Sequence, residues 1–304
     1  MRVVLALNGI SPCGEVVKAA AARPWPSGSS FCLLNVLDPY PFVRAPLLLE
    51  RAKAHVRENL QRSADCLQNL GGAVTTEIAL GSPRRGINAF ARGWQADLVM
   101  VGSNELRDWE RLVLGSTARS VLRHAPCSVA IVRPVRENMN AEAKPGMKIL
   151  VATDGSEYSM AALRSIAERP WPVGSEARII SVSEFLPLKE FSYLHAREVS
   201  DLGAASEEEA AICAAKGVEA LAGSTLKISS NVPIVRDRVF QVILDEAEKW
   251  KVDVIVLGSH GRSGFDRMVM GSVSEAVALH AKCSVEVILR QHACKAAQVL
   301  GKTS

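Results

Sequence analysis

Val252-Asp253-Val254-Ile255-Val256-Leu257 runs directly into Gly258-Ser259-His260-Gly261, and nine residues further on the chain reads Gly271-Ser272-Val273-Ser274. The first run is short, apolar and rich in β-branched residues, as expected of a strand buried on both faces. Residues 273–280 read as a short helix with Ser272 as its N-cap. A glycine-bearing loop between such a strand and a helix N-terminus presents unpaired backbone N–H groups to an anion, so the expected ligand carries phosphate. Glycine at 258 and 261 permits positive φ and brings the backbone close to the anion with no Cβ between them. His260, Arg262 and Arg267 offer charge or donors beside the loop, and Ser272 and Ser274 offer hydroxyls.

Working outward, the chain is written twice. Arg23-Pro24-Trp25-Pro26-Ser27-Gly28-Ser29 recurs as Arg169-Pro170-Trp171-Pro172-Val173-Gly174-Ser175, and His124-Ala125-Pro126-Cys127-Ser128-Val129 recurs as His280-Ala281-Lys282-Cys283-Ser284-Val285. The first offset is 169 − 23 = 146 and the second 280 − 124 = 156, so the second copy carries a net ten extra residues in its middle. The period is too long for a solenoid and indicates duplicated domains. The polar, proline-bearing stretch from Pro134 to Gly146 reads as the linker. The expected domains are residues 1–136 and 147–291.

Each copy alternates strands and helices. The first reads as strand 3–7, helix 15–22, strand 31–37, helix 47–70, strand 74–80, helix 84–94, strand 98–101, helix 117–123 and strand 128–133. The second reads as strand 149–153, helix 160–168, strand 177–183, a helix within 195–222, strand 228–235, helix 239–250, strand 254–257, helix 273–279 and strand 285–289, with the extra residues near 185–200. The expected fold class is α/β: two tandem doubly wound domains, each a five-stranded, mostly parallel sheet with helices on both faces. Ligands of such sheets bind outside the carboxyl ends of the strands. Asp154 ends the first strand of its copy and Gly258 follows the fourth, so both lie on that rim, where a carboxylate can accept hydrogen bonds from ribose hydroxyls or a base amine.

Other classes are excluded by what the chain lacks. Its 304 residues carry a net charge of only +4, 48% apolar and 5% aromatic residues, and no basic block with interleaved aromatics, which argues against nucleic acid. No apolar run reaches the roughly 18–20 residues that cross a bilayer, and the N-terminal run is too short for a signal sequence. A cytoplasmic location with no membrane partner is the default expectation. The seven cysteines, at 13, 32, 66, 127, 213, 283 and 294, are odd in number and never spaced Cys-x-x-Cys. They are expected to be reduced thiols, with neither a zinc site nor a disulfide framework. There is no P-loop lysine and no Gly-x-Ser-x-Gly elbow. The six histidines show no metal-ligand spacing, and His124 and His280 are expected to pack or cap helix ends.

The combination Gly258-x-x-Gly261, nine residues, Gly271-Ser272, with Asp154-Gly155-Ser156 after a first strand, resembles the ATP-binding signature of the universal stress protein family. The resemblance spans both copies and implies an adenine-nucleotide α-hydrolase-like fold in a tandem member. Carried over residue by residue, it implies nucleotide contacts from Ala152, Thr153 and Asp154, from the backbone of Val182, from Leu257, Gly258, His260 and Gly261, and from Gly271, Ser272, Val273 and Ser274. The implied cofactor is ATP, with or without Mg2+, and no residue is assigned a catalytic or metal-ligating role. The first copy departs at two places: Asn8 stands for the carboxylate and Glu105 for the second glycine. A glutamate about 4 Å from a phosphate charge costs on the order of 4 kcal/mol at an effective dielectric of about 20, less with solvent screening. The first copy is therefore expected to bind ATP much more weakly or not at all, and to serve as a pseudo-dimer partner for the second. In the family the last strands, 128–132 and 284–289 here, pair across a two-fold axis. The implied activity is regulatory ATP binding in a stress response, with a homodimer and an unidentified protein partner. Slow ATP hydrolysis or nucleotidyl transfer, and a nucleotide-independent scaffold, are the alternatives.

Overall fold

The computed structural model describes residues 1–103, 114–134, 146–184, 196–235, 238–262 and 270–289. The chain divides into two units, Met1–Val135 and Arg136–Ser304. The first contains β1 (Arg2–Ala6), α1 (Glu15–Ala22), β2 (Ser30–Leu37), α2 (Pro46–Asp65), β3 (Ala73–Leu80), α3 (Pro83–Gly93), β4 (Leu98–Gly102), α4 (Ser116–His124) and β5 (Ser128–Val132). The second contains β6 (Lys148–Ala152), α5 (Glu157–Ala167), β7 (Glu176–Ile180), β8 (Ser183–Glu184), α6 (Ala196–Leu221), β9 (Lys227–Asn231), β10 (Ile234–Val235), α7 (Val239–Trp250), β11 (Val254–Gly258), α8 (Ser272–His280) and β12 (Ser284–Ile288).

The strand order in the first unit is β3-β2-β1-β4-β5, and in the second β9-β7-β6-β11-β12, with every adjacent pair parallel. Parallel neighbours need helical crossovers, which cover both faces, and the central strands β1, β4, β6 and β11 are accordingly apolar beyond the Arg2 and Lys148 that open β1 and β6. In the second unit Ile149, Val151, Ile179, Val254 and Val256 pack with Leu163 and Ile166 of α5 and Ala214 and Leu221 of α6. In the first, Leu5, Leu33, Leu98 and Met100 pack with Val17, Ala20 and Leu60. The chain order reverses between β6 and β11, where Ala152 sits beside Leu257. The first unit has the same switch between β1 and β4.

The repeated Arg-Pro-Trp-Pro segment has a local cause. Proline ends the helix before it, and the following tryptophan folds back so that its indole N–H donates to a helix carbonyl. Trp25 reaches Ala20 and Trp171 reaches Ile166, each at 2.8 Å. A second repeated device pins the first strand to the segment before the fourth. Asp97 Oδ2 accepts the Arg2 N–H and Asp253 Oδ2 accepts the Lys148 N–H, both at 2.7 Å. Trp94 lies under Arg2, and Trp250 under Lys148 and Arg178. The residue after each tryptophan, Gln95 or Lys251, is left-handed, which turns the chain out of its helix.

Several boundaries differ from the sequence reading. Helix α5 begins one turn earlier than expected because Ser156 caps it, accepting from the Ser159 N–H at 3.3 Å. The strand expected over 228–235 is split at Pro233, which has no N–H to give a ladder, into β9 and β10. The strand expected over 177–183 ends at Ile180, and Ser183 instead pairs with Ile234. His124, in the last turn of α4, contacts the Ser120 carbonyl at 2.9 Å, and the His280 ring stacks on Phe240. Most of the expected linker and of the 185–200 insertion lies outside the described residues.

The cysteine expectation is corrected at one pair. Cys13, in the β1–α1 loop, and Cys66, just after α2, form a disulfide with their Cα atoms 6.4 Å apart. Their separation of 53 residues hid the pairing, since only the crossover brings the two segments together. Cys32, Cys127, Cys213 and Cys283 are free thiols, and Cys294 is outside the described residues.

One charged pair lies inside the second unit. Arg169 and Glu286 keep only 2% and 1% of their side-chain surface, and both guanidinium Nη atoms donate to the carboxylate. Removing one charge leaves the other buried and uncompensated, which costs about 3–5 kcal/mol. Glu286→Gln is expected to lower the unfolding free energy of the second unit by that amount, read as a shift in its urea midpoint; an unchanged midpoint would show that the pair does not matter to stability.

Candidate functional site

Strand β6 delivers its last residues to the carboxyl rim of the second sheet. The Thr153 N–H still bonds the Ile180 carbonyl at 2.9 Å, and its hydroxyl links the Gly155 N–H to the Ser159 hydroxyl. Asp154 follows. Its Oδ1 accepts the Ser156 N–H at 3.0 Å, a local Asx turn that fixes the carboxylate before α5 begins. Gly155 turns the chain at φ +77, and a Cβ there would lie 2.6 Å from the Cys213 sulfur of α6.

The glycine loop comes from the neighbouring strand. Gly258 ends β11 under the first turn of α5, so closely that an added Cβ would meet the Tyr158 carbonyl carbon at 2.5 Å. At Gly261 an added Cβ would lie 2.9 Å from Asp154 Oδ2. Neither glycine has a positive φ, so the sequence argument is corrected on that point: space for a helix and for a carboxylate demands glycine here. The loop is fastened to Asp154 by Arg262. Its backbone N–H donates to Oδ2 at 3.0 Å and its Nε donates to the Asp154 carbonyl at 2.5 Å. The same guanidinium ion-pairs with Glu209 and lies 3.3 Å from the Cys213 sulfur. Burial alone would lower the Arg262 pKa, but Glu209, with smaller help from Cys213 and Asp154, outweighs it and holds the pKa above its ordinary value.

Beyond the loop, the Gly271 N–H bonds the Ser259 carbonyl at 2.8 Å and Gly271 itself is the N-cap of α8. Ser272 is thus the first helical residue and not the cap, with its side chain exposed. Val273 is half-buried beside it. The Ser274 hydroxyl donates to the Gly258 carbonyl at 2.6 Å and is buried, so it braces the strand end and is not the free donor expected. His260 lies against Tyr158, ring centroids 4.9 Å apart, with Nδ1 3.0 Å from the Ser259 hydroxyl.

Val182 lies two residues past β7. The Ser181 N–H goes to Asn231 and the Ser183 N–H to Pro233, and Val182 makes no backbone hydrogen bond among the described residues. The structure therefore gathers Ala152, Thr153, Asp154, Leu257, Gly258, His260 and Gly261 at the strand switch, with Gly271, Ser272, Val273 and Ser274 opening the helix behind the loop. Val182 lies beyond the adjacent strand. Arg267 falls outside the described residues. Sequence reasoning missed Glu209, Cys213 and Tyr158, whose spacing carries no motif, and the cap at Ser156, for which the available signal was a serine standing just ahead of the helical run.

The first unit repeats part of this. Asn8 Oδ1 accepts the Ile10 N–H at 3.1 Å, the same Asx turn as at Asp154. Its second side-chain atom is an NH2 donor, where Asp154 presents a second acceptor. Glu105 lies outside the described residues.

Comparison with known proteins agrees with this architecture. The sequence profile of the universal stress protein family matches residues 1–133 and 147–288, and the chain belongs to that family. A universal stress protein of Mycolicibacterium smegmatis is 27% identical over 301 residues, which cover 94% of this chain and 96% of the relative. The crystal structure of a universal stress protein from Archaeoglobus fulgidus superimposes with a TM-score of 0.62 at 17% identity, covering 95% and 96% of the two chains. A Pseudomonas aeruginosa protein described as functionally unknown gives 0.57 at 16% identity, covering 99% and 97%. The chain is thus similar over 94% of its length to a universal stress protein of matching length, carries the family's profile twice in tandem, and has an α/β fold in both halves. No helix among the described residues is long and apolar enough to cross a membrane.

The two loop glycines separate stability from site shape. Gly258→Ala forces a Cβ into backbone and is expected to cost about 1–3 kcal/mol. Gly261→Ala meets only a side-chain oxygen and is expected to cost about 1 kcal/mol or less, the value of one displaced hydrogen bond. Chemical denaturation of the two variants side by side checks this; equal losses would contradict the assignment.

Proposed function

We propose that the second unit binds ATP at the junction of β6 and β11 and that the bound nucleotide regulates the protein, with no dedicated catalysis. One observation carries the reading: a carboxylate and a glycine loop from two adjacent strand ends, fastened together at the chain reversal of a parallel sheet. Asp154 accepts ribose hydroxyls in this reading, and the peptide groups of Val182, which bond no backbone group among the described residues, meet the adenine edge. Ala152, Thr153, Leu257 and His260 form the floor and wall. The backbone of Gly258 and Gly261, with the N–H groups of Ser272 and Val273 and the Ser272 hydroxyl, faces the phosphates; Gly271, whose own N–H is held by the Ser259 carbonyl, caps the helix without a side chain, and Ser274 supports them by holding the Gly258 carbonyl. A side chain at Gly261, whose Cβ would lie 2.9 Å from Asp154 Oδ2, would close the approach that the backbone offers. Mg2+ would come with the polyphosphate.

The carboxylate of Asp154 already accepts two backbone N–H groups. Such a fixed acceptor suits holding a sugar better than moving a proton, which supports a regulatory role, exerted through a conformation or oligomer that nucleotide favours. The first unit, with Asn8 in place of the carboxylate, binds ATP weakly or not at all in this account and acts as a pseudo-dimer partner. A cytoplasmic homodimer engaging a further protein under stress completes the proposal.

Calorimetric titration with ATP tests it. The unmodified chain should bind. Gly261→Glu, which copies the first-unit residue and directs a carboxylate at Asp154, should abolish binding with the fold retained by circular dichroism. Asp154→Asn should weaken it at least tenfold. Unchanged affinity in both variants would refute the assigned site.

A further inference from the structure

The first unit begins its α1 helix late. Ser11-Pro12 is a strong helix-start signal, a good N-cap followed by the residue best suited to the first helical position. A helix capped by Ser11 would begin at Pro12. In the structure α1 begins at Glu15, behind Gly14, with no side-chain cap. The second unit has no such delay: α5 begins at Glu157, three residues after Asp154. What intervenes is Cys13. It is left-handed at φ +53, a conformation uncommon for a residue with a Cβ. Its N–H is drawn to the Ser63 hydroxyl of α2 at 3.3 Å, and its sulfur is bonded to Cys66. A local sequence preference is overridden at the one place where a covalent cross-link pulls the chain aside.

Both cysteines are reachable. Cys66 is exposed and Cys13 half-buried. Cys32, Cys127 and Cys213 are buried. Burial, and to a smaller degree the Asp97 carboxylate, pushes the Cys127 thiol up to about 12, and burial raises that of Cys32; neither competes as a thiolate.

We propose that Cys13 and Cys66 are a reversible thiol–disulfide pair that sets where α1 begins: oxidised, the helix starts at Glu15; reduced, it starts at Pro12 under a Ser11 cap. The co-reactant is a dithiol. Its thiolate attacks one sulfur, forming a mixed disulfide and releasing one cysteine as a thiol. Its second thiol then displaces the other cysteine. Two electrons and two protons pass to the pair, and the dithiol leaves as a disulfide. On release Cys13 returns to helical φ, and the N–H groups of Glu15, Val16 and Val17 gain the carbonyls of Ser11, Pro12 and Cys13. The rim loop of the first unit, which continues from the Asn8 turn, changes shape with redox state. This inference is independent of the ATP reading, since it concerns the other unit.

The test uses the full chain. In oxidised protein, iodoacetamide should leave Cys13 and Cys66 unlabelled and mass spectrometry should find their peptides linked; after dithiothreitol, without denaturant, both should label. Hydrogen exchange at the Glu15, Val16 and Val17 amides should slow at least tenfold on reduction. It should be equally slow without reductant in Cys66→Ser and in Cys13→Ser, and reoxidation should reverse it only in the unmodified chain. Labelling of both residues without reductant, reduction only after unfolding, or exchange unaltered by reduction and by both substitutions would each overturn the proposal.

Discussion

The parallel pairing of β6 with β11 is the constraint on which the second unit's rim depends. The two strands are neighbours in the sheet but more than a hundred residues apart in the chain, as the 108-residue separation of Asp154 and Arg262 shows. Because the chain order reverses between them, their outgoing loops leave in different directions and enclose a crevice. Asp154 and Gly261 meet there because Ala152 is in register with Leu257. Everything else at the site is bracing: Ser274 holds the strand end, Ser156 starts α5, and Arg262 ties one loop to the other.

Duplication makes the chain its own control. The two units share the folded-back tryptophan, the Asp97 and Asp253 clasps and the Asx turn after the first strand. They differ where the rim chemistry lies. At residue 8 a carboxamide keeps the turn but replaces an acceptor by a donor, so the fold survives while the second acceptor that fastens the glycine loop in the other unit is gone. Structure and site chemistry are separable in this fold, which is how one half can retain a frame without the residues the other uses.

Much of this was legible in the sequence. The repeat offsets gave two domains, unbroken apolar strands gave parallel sheets, and Asp154 beside Gly258 and Gly261 gave the rim. What was not legible follows from physical causes. The glycines are needed for space rather than for positive φ, a distinction that only the packing of Tyr158 and Asp154 reveals. Ser274 reads as an open donor until its carbonyl partner is seen. Glu209 and Cys213 approach Arg262 only through a crossover helix. Cys13 and Cys66 look like scattered thiols because loop closure over a long separation leaves no spacing signature, and Pro233, which can give no N–H to a ladder, divides the segment that reads as one strand.

The most direct test of one nucleotide site per chain is a count. The protein is equilibrated with saturating ATP, freed of unbound ligand by gel filtration under buffer of matched composition, denatured, and its adenine nucleotide quantified by chromatography against protein concentration. The account predicts about one adenine nucleotide per chain. None would contradict the site in the second unit, and two would contradict the loss of binding in the first.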